Sequence, residues 1–268
     1  TEMETAYEIG RQQDVTECIG NVLSQVEAAL KPEGFDEVDH EQNDLVKRLF
    51  FGNTVQHLKD VNDPNISRDK VDKFSNLFVN ISDKPRNIYE AFDLVFKSEE
   101  LTIDSGTFKR SERITKLPII LQVQIQRVYF DRVALRPYKS IEPLSFPETL
   151  YMDRYLDTDD EKILKKRVEV DEWKAEISKL KERREKLLSK NAHGMTFSES
   201  LKTTKEWLEA NELAKPETLK TLQDQITKIN DELMTIYNRV GELEKLIDHQ
   251  FDEFTEHGYS IFAVFIHR

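Results

Sequence analysis

An apolar seam near the C-terminal end restricts the fold of this chain more than any other feature. Leu222, Ile226, Ile229, Leu233, Ile236, Val240, Leu243 and Ile247 recur in alternating steps of four and three. That spacing holds one stripe of a helix apolar for more than three heptads, the pattern of a coiled-coil seam. Such a stripe needs a second helix to cover it. Val170, Trp173, Ile177, Leu180 and Leu187 form a similar seam upstream, interrupted by Arg184. Asn191 to Thr196, with Gly194, breaks the pattern. A shorter helix follows over Ser198 to Ala210, carrying Leu201, Trp207 and Leu208, and Pro216 suits the first turn of a third helix. The spacing predicts a long antiparallel helical hairpin over 157–254 with a small helix at its tip. A helix of about 33 residues is about 50 Å long at 1.5 Å per residue, so this arm is expected to project beyond a compact domain.

Composition agrees with a globular part joined to a solvated helical part. Only 38% of the residues are hydrophobic and 34% are charged. Eight Gly and eight Pro are too few for a large all-β protein with many tight turns. The net charge of −12 argues against gripping a phosphate backbone, so no nucleic-acid partner is expected. The runs Lys181 to Arg184 and Lys165 to Arg167 are interspersed with Glu and Asp and read as a solvated helix face. Cys18 is the one cysteine, so neither a disulfide nor a Cys-based zinc site can form, and a cytoplasmic or nuclear location is expected. No apolar run is long enough to cross a membrane. The opening TEMETAYEIG has no leader pattern and reads as an internal start.

The remaining segments point to a mixed α+β unit. A helix is predicted over Gln12 to Leu30, where Val15, Ile19, Val22, Leu23, Val26 and Leu30 share a face, and Lys31-Pro32-Glu33-Gly34 ends it. Short helices are expected over Glu41 to Leu49 and Ile88 to Phe96. Phe74 to Ile81 reads as extended. Ile119 to Phe130 alternates through Leu121, Val123 and Ile125, the mark of one half-buried strand. Tyr259 to Ile266 is apolar on both faces and reads as a central strand. The organisation expected is 1–49 helical, 50–156 β-rich, 157–254 the arm and 255–268 a returning strand.

Four motifs, in order, carry a resemblance. Gly10 to Cys18 contains Gln12, Asp14 and Glu17 in the form Q-x-D-x-x-E. Leu117-Pro118 to Arg127-Val128 has the form L-P-x-x-L-x-x-x-L-x-R-F, with Val128 in place of Phe. Phe146-Pro147 is followed by Leu150-Tyr151-Met152-Asp153-Arg154-Tyr155. Gly258 to Arg268 is the last. Together these resemble the ubiquitin-specific proteases, cysteine-type deubiquitinases, and in particular a subgroup with a long helical insertion directly after the third motif. The resemblance implies a papain-like palm and finger sheet with an inserted helical hairpin. It also implies hydrolysis of the isopeptide bond after ubiquitin's C-terminal glycine, with ubiquitin and ubiquitinated proteins as partners and no cofactor. The family's Cys box, G-N-T-C-Y, and its Gly-His-Tyr box do not occur in these 268 residues, nor do the CxxC pairs that bind zinc in many relatives. No catalytic residue can be assigned, and this segment alone is expected to be inactive.

Cys18 invites the role of nucleophile but reads as a small core residue in mid-helix. His267 invites the role of base, yet lies before the position of the family's histidine box. His249 and His257 read as surface residues, and no metal site is expected. Asp14 and Glu17 share a helix face near its start, where carboxylates favour the helix dipole. The resemblance adds another role: Gln12, Asp14 and Glu17 would line the channel for ubiquitin's Arg-rich tail, where guanidinium–carboxylate pairs give strength and geometry. Val128 and Phe130 would help wall that channel. Two other readings stay open: a non-catalytic interaction module, self-associating or binding a partner through the arm, and a pseudoenzyme.

Overall fold

A computed structural model describes residues 15–30, 44–63, 66–103 and 106–265. The chain divides into two compact units. One comprises 1–157 with 255–268, and the other is Thr158–Phe254.

The first unit begins with α1 (Val15–Leu30) and α2 (Leu45–Phe50). Asp44 caps α2, its carboxylate accepting from the Lys47 amide at 3.1 Å. A four-stranded antiparallel sheet follows, built from β1 (Gly52–Asp60), β2 (Ser67–Phe74), β4 (Glu99–Ile103) and β5 (Gly106–Lys116) in the order β2-β1-β5-β4. Its interior positions are Val55, Phe108 and Ile114. Gly52 faces Phe74 in register across β1 and β2. A Cβ at position 52 would lie 2.4 Å from the Phe74 ring and 2.6 Å from the Lys116 carbonyl, so the ring occupies the space that glycine leaves. Gly52→Ala is expected to cost about 1–3 kcal/mol by overpacking, read as a lower urea midpoint.

Between the arms of that sheet lie β3 (Asn76–Asn80) and α3 (Ile88–Val95). Asn87 caps α3, accepting from the Glu90 amide at 2.9 Å. β3 runs parallel to β6 (Gln122–Gln126), and β7 (Val128–Asp131) forms a hairpin with β8 (Arg136–Lys139). β9 (Thr149–Tyr151) pairs with β10 (Gly258–Ser260), and a 3-10 turn covers Asp153–Tyr155. The core gathers Leu77, Val79, Ile81, Ile88, Phe92, Phe96, Ile114, Met152 and Tyr155. Alternation on β3 supplies the first two, and the apolar face of α3 supplies Ile88, Ala91 and Phe92.

Two sequence expectations fail here. The stretch 119–130 is not one strand. Ile119 and Ile120 are exposed and lie in bends, β6 ends at Gln126, and β7 restarts in another pairing. The cause is Arg127, whose guanidinium donates to the Glu142 carbonyl at 2.7 Å while its own carbonyl accepts from the Ser140 amide at 2.7 Å. These bonds break the pairing with β3 and start the one with β8. The segment from Tyr259 onward is not a covered central strand either. β10 is three residues long, and Phe262 is 99% exposed. No strand pairs with 261–265 among the described residues, so an apolar pattern that could serve two faces covers none.

The second unit consists of α4 (Glu161–Leu188), α5 (Phe197–Ala210) and α6 (Pro216–His249). Each start has a local cause. Asp160 accepts from the Lys162 amide at 2.8 Å, Thr196 and Glu199 form a capping box, and Pro216 sits in the first turn of α6. Ile163, Val170 and Ile177, one per heptad on α4, are buried with Ile236, Val240, Leu243 and Ile247 of α6. Arg183 holds Glu232 at 2.6 and 3.1 Å, and Arg239 holds Glu176 at 2.7 and 3.1 Å. Later residues of α4 thus meet earlier residues of α6, so the pair is antiparallel and the seam is covered within the chain. No helix among the described residues is long and apolar enough to cross a membrane.

Candidate functional site

In the motif Tyr151-Met152-Asp153-Arg154-Tyr155, Met152 to Tyr155 are all buried, the two charged residues included. Tyr155 stacks on Phe96 with ring centroids 5.0 Å apart. Its hydroxyl lies 2.9 Å from Asp93 Oδ1 and 3.0 Å from the Tyr89 carbonyl. The Arg154 guanidinium sits 4.0 Å above the Tyr89 ring, and the Tyr89 hydroxyl accepts from the Tyr151 amide at 2.9 Å. The Asp153 carboxylate takes the His257 amide at 3.2 Å and the His257 Nδ1 at 2.9 Å, while Met152 donates to the His257 carbonyl at 3.0 Å. The motif therefore ties down the chain where it re-enters the first unit. At the exit, the Asp157 amide donates to the Ile114 carbonyl at 2.8 Å, and its carboxylate lies 3.3 Å from His57 Nε2.

Burial, and then the nearby Asp93 carboxylate, push the Tyr155 phenol well above its ordinary value of 10.0. A raised folded value means that the native state keeps its proton after the unfolded chain has lost it. The associated stability is therefore complete below pH 10 and declines as the pH rises beyond it. Tyr155→Phe is expected to cost about 1–3 kcal/mol at neutral pH, by leaving partly buried acceptors short of a donor. It should also flatten the alkaline limb of the stability–pH curve, measured by urea unfolding between neutrality and strongly alkaline pH.

His257 is exposed, as its sequence context suggests, and its ring reaches the buried Asp153 carboxylate. A signal was present: the third motif precedes the inserted helices and His257 follows them, so an insertion with adjacent ends brings the two together. Asp153, Glu256 and His257 hold ligand atoms within 4.8 Å of one another, the set that could accept a cation. Both Asp153 oxygens already accept from His257.

Of the residues assigned to the tail channel, Gln12 and Asp14 lie outside the described residues, as does His267. Glu17 is exposed in the first turn of α1. α1 packs on α2 and is linked to it by Glu27 and the Lys47 ammonium at 3.1 Å. Val128 and Phe130 are exposed on β7. Tyr129 between them faces inward, where its hydroxyl accepts from the Ile81 amide at 2.9 Å and lies 2.9 Å from Asn80 Oδ1. That anchor turns Val128 and Phe130 outward, since neighbours along a strand point to opposite faces. Glu17 and the β7 pair belong to separate elements. Cys18 is exposed, which corrects the reading of a core thiol. No residue described on α1 is buried.

The family model described as ubiquitin carboxyl-terminal hydrolase matches residues 1–268. The chain belongs to that family. Ubiquitin carboxyl-terminal hydrolase 2 of Saccharomyces cerevisiae is 47% identical to it over 276 residues, covering 100% of this chain and 22% of the relative. The probable ubiquitin carboxyl-terminal hydrolase 2 of Schizosaccharomyces pombe is 35% identical over 272 residues, covering 100% of this chain and 24% of the relative. The chain therefore spans about a quarter of the length of either family member. A solved Ubp8-Sgf11-Sgf73-Sus1 SAGA DUB module aligns with a TM-score of 0.48 at 24% identity, over 55% of this chain and 34% of that one.

Proposed function

We propose that this chain is the ubiquitin-holding portion of a deubiquitinating thiol protease that cleaves isopeptide bonds after ubiquitin's C-terminal glycine. The family match over residues 1–268 carries the reading. In the parent, a cysteine thiolate attacks the glycine carbonyl and a histidine protonates the departing lysine amine. Neither group comes from the residues described above. Cys18 is a surface thiol on α1, and His257 spends its Nδ1 on Asp153. Gln12, Asp14 and Glu17 receive the arginines of the ubiquitin tail, and Val128 and Phe130 supply apolar wall.

The test uses the full-length parent with a ubiquitin–fluorophore substrate. Glu17→Lys is expected to raise KM about tenfold or more with little change in kcat, because it replaces an attractive contact by a repulsive one. Cys18→Ala is expected to leave both constants unchanged. This chain alone should release no fluorophore. Release by the chain alone that disappears in Cys18→Ala would overturn the assignment.

A further inference from the structure

Asp153 is a buried carboxylate that no Lys or Arg neutralises among the described residues. It is 5% exposed, and both of its contacts go to His257: the amide at 3.2 Å from Oδ2 and the ring Nδ1 at 2.9 Å from Oδ1. A buried carboxylate needs a counter-charge, and a neutral imidazole offers a hydrogen bond without one. Glu256 brings a second acid to the same place. One ligand atom from each of Asp153, Glu256 and His257 lies within 4.8 Å of the other two.

The backbone that carries these groups is fixed. The Met152 amide donates to the His257 carbonyl at 3.0 Å, and Gly258 faces Tyr151 in register across β9 and β10. A Cβ at position 258 would lie 2.9 Å from the Tyr151 ring, so glycine lets the two segments close. The His257 amide holds Oδ2 of Asp153 and leaves Oδ1 turned to Nδ1. Hydrogen bonds to ligating carboxylates orient them in the same way at metal sites. A tetrahedral zinc ion with bonds of about 2.0–2.1 Å holds its ligand atoms about 3.3 Å apart. Oδ1 and Nδ1, now at 2.9 Å, need to open by about 0.4 Å to admit it. Glu256 is exposed, so a change of rotamer can close the third bond.

We propose that Asp153, Glu256 and His257 bind one zinc ion, which clamps the third motif to the start of β10. Nδ1 and one oxygen of each carboxylate coordinate, the ring proton sits on Nε2, and water takes the fourth position. One imidazole nitrogen with two carboxylates suits zinc, whereas calcium and magnesium favour larger, all-oxygen shells. The site differs in place and in ligands from a finger site built on CxxC pairs, for which Cys18 alone is too few. It rests on these side chains and not on the ubiquitin reading.

The probe is zinc sulfate, titrated by isothermal calorimetry into this chain after dialysis against EDTA and then metal-free buffer. Saturable binding of about one ion per chain is expected. The temperature at which the tyrosine near-ultraviolet circular dichroism is lost should rise with zinc, because an ion held by the folded state stabilises it. His257→Gln and, separately, Glu256→Gln should each weaken binding about tenfold or more. Both side chains are exposed, so each variant should keep the wild-type far-ultraviolet spectrum. His249→Gln removes another exposed imidazole, paired with Asp252 at 2.8 Å, and should leave binding unchanged. The proposal is overturned if zinc does not saturate the chain up to about millimolar concentration. It is equally overturned if magnesium binds as tightly, which would mark a diffuse acidic field, if either site variant binds like the wild type, or if His249→Gln weakens binding as much as His257→Gln.

Discussion

Leu243→Ala is expected to unfold the helical unit first and to leave the rest of the chain standing. Leu243 is fully buried, and it lies on a seam one helix wide, with Val170, Ile177, Ile236, Val240 and Ile247 as its cluster. A two-helix interface has no third layer to close over a lost side chain, so a cavity there persists. Removing the side chain should cost about 2–5 kcal/mol, the transfer free energy plus the cavity. For a unit of this size that is a fall of about 10–30 °C in melting temperature. Both tryptophans, Trp173 and Trp207, lie on helices of this unit, so tryptophan fluorescence reads it selectively. A tryptophan transition moved by less than about 2 °C would mean that the seam is not what holds α4 to α6, since even about 1 kcal/mol should shift it further.

Phe92→Ala should have the converse effect. Phe92 is fully buried on α3, with ring centroids 5.6 Å from Tyr155 and 6.4 Å from Phe96. Its loss should cost about 3–5 kcal/mol and remove aromatic contacts from the core of the first unit. Near-ultraviolet circular dichroism from tyrosine should collapse at lower temperature, whereas the tryptophan transition should stay within about 2 °C of wild type if the units unfold independently. A joint downward shift of both signals would instead show that the two units unfold together.

The contrast between these variants follows the contrast between what local pattern can and cannot specify. The helical unit was legible because its information is local. A three-four repeat, a break at Gly194 and a proline at 216 each act within a turn or two of helix. The pattern over 119–130 misled because alternation records which side chains turn inward, not which strand lies alongside. Arg127 ends one pairing and opens another without disturbing the alternation.

The candidate site divides in the same way. The motif order pointed to the family, and outward Val128 and Phe130 follow from strand alternation about Tyr129. The grip of Asp153 on His257 could not be read from either residue alone, because 104 positions separate them. Burying Asp153 is tolerable only because a distant amide and imidazole come to meet it. By itself the sequence determined the long helices, the apolar seam of α6 and the breaks at Gly194 and Pro216, since each depends on neighbours within a few residues. Tertiary structure alone decided that Met152 to Tyr155 are interior, that Cys18 is outside, and that β6 and β7 part at Arg127. Those outcomes depend on which remote groups can satisfy a buried charge, carbonyl or hydroxyl, and only the assembled backbone brings such groups within reach.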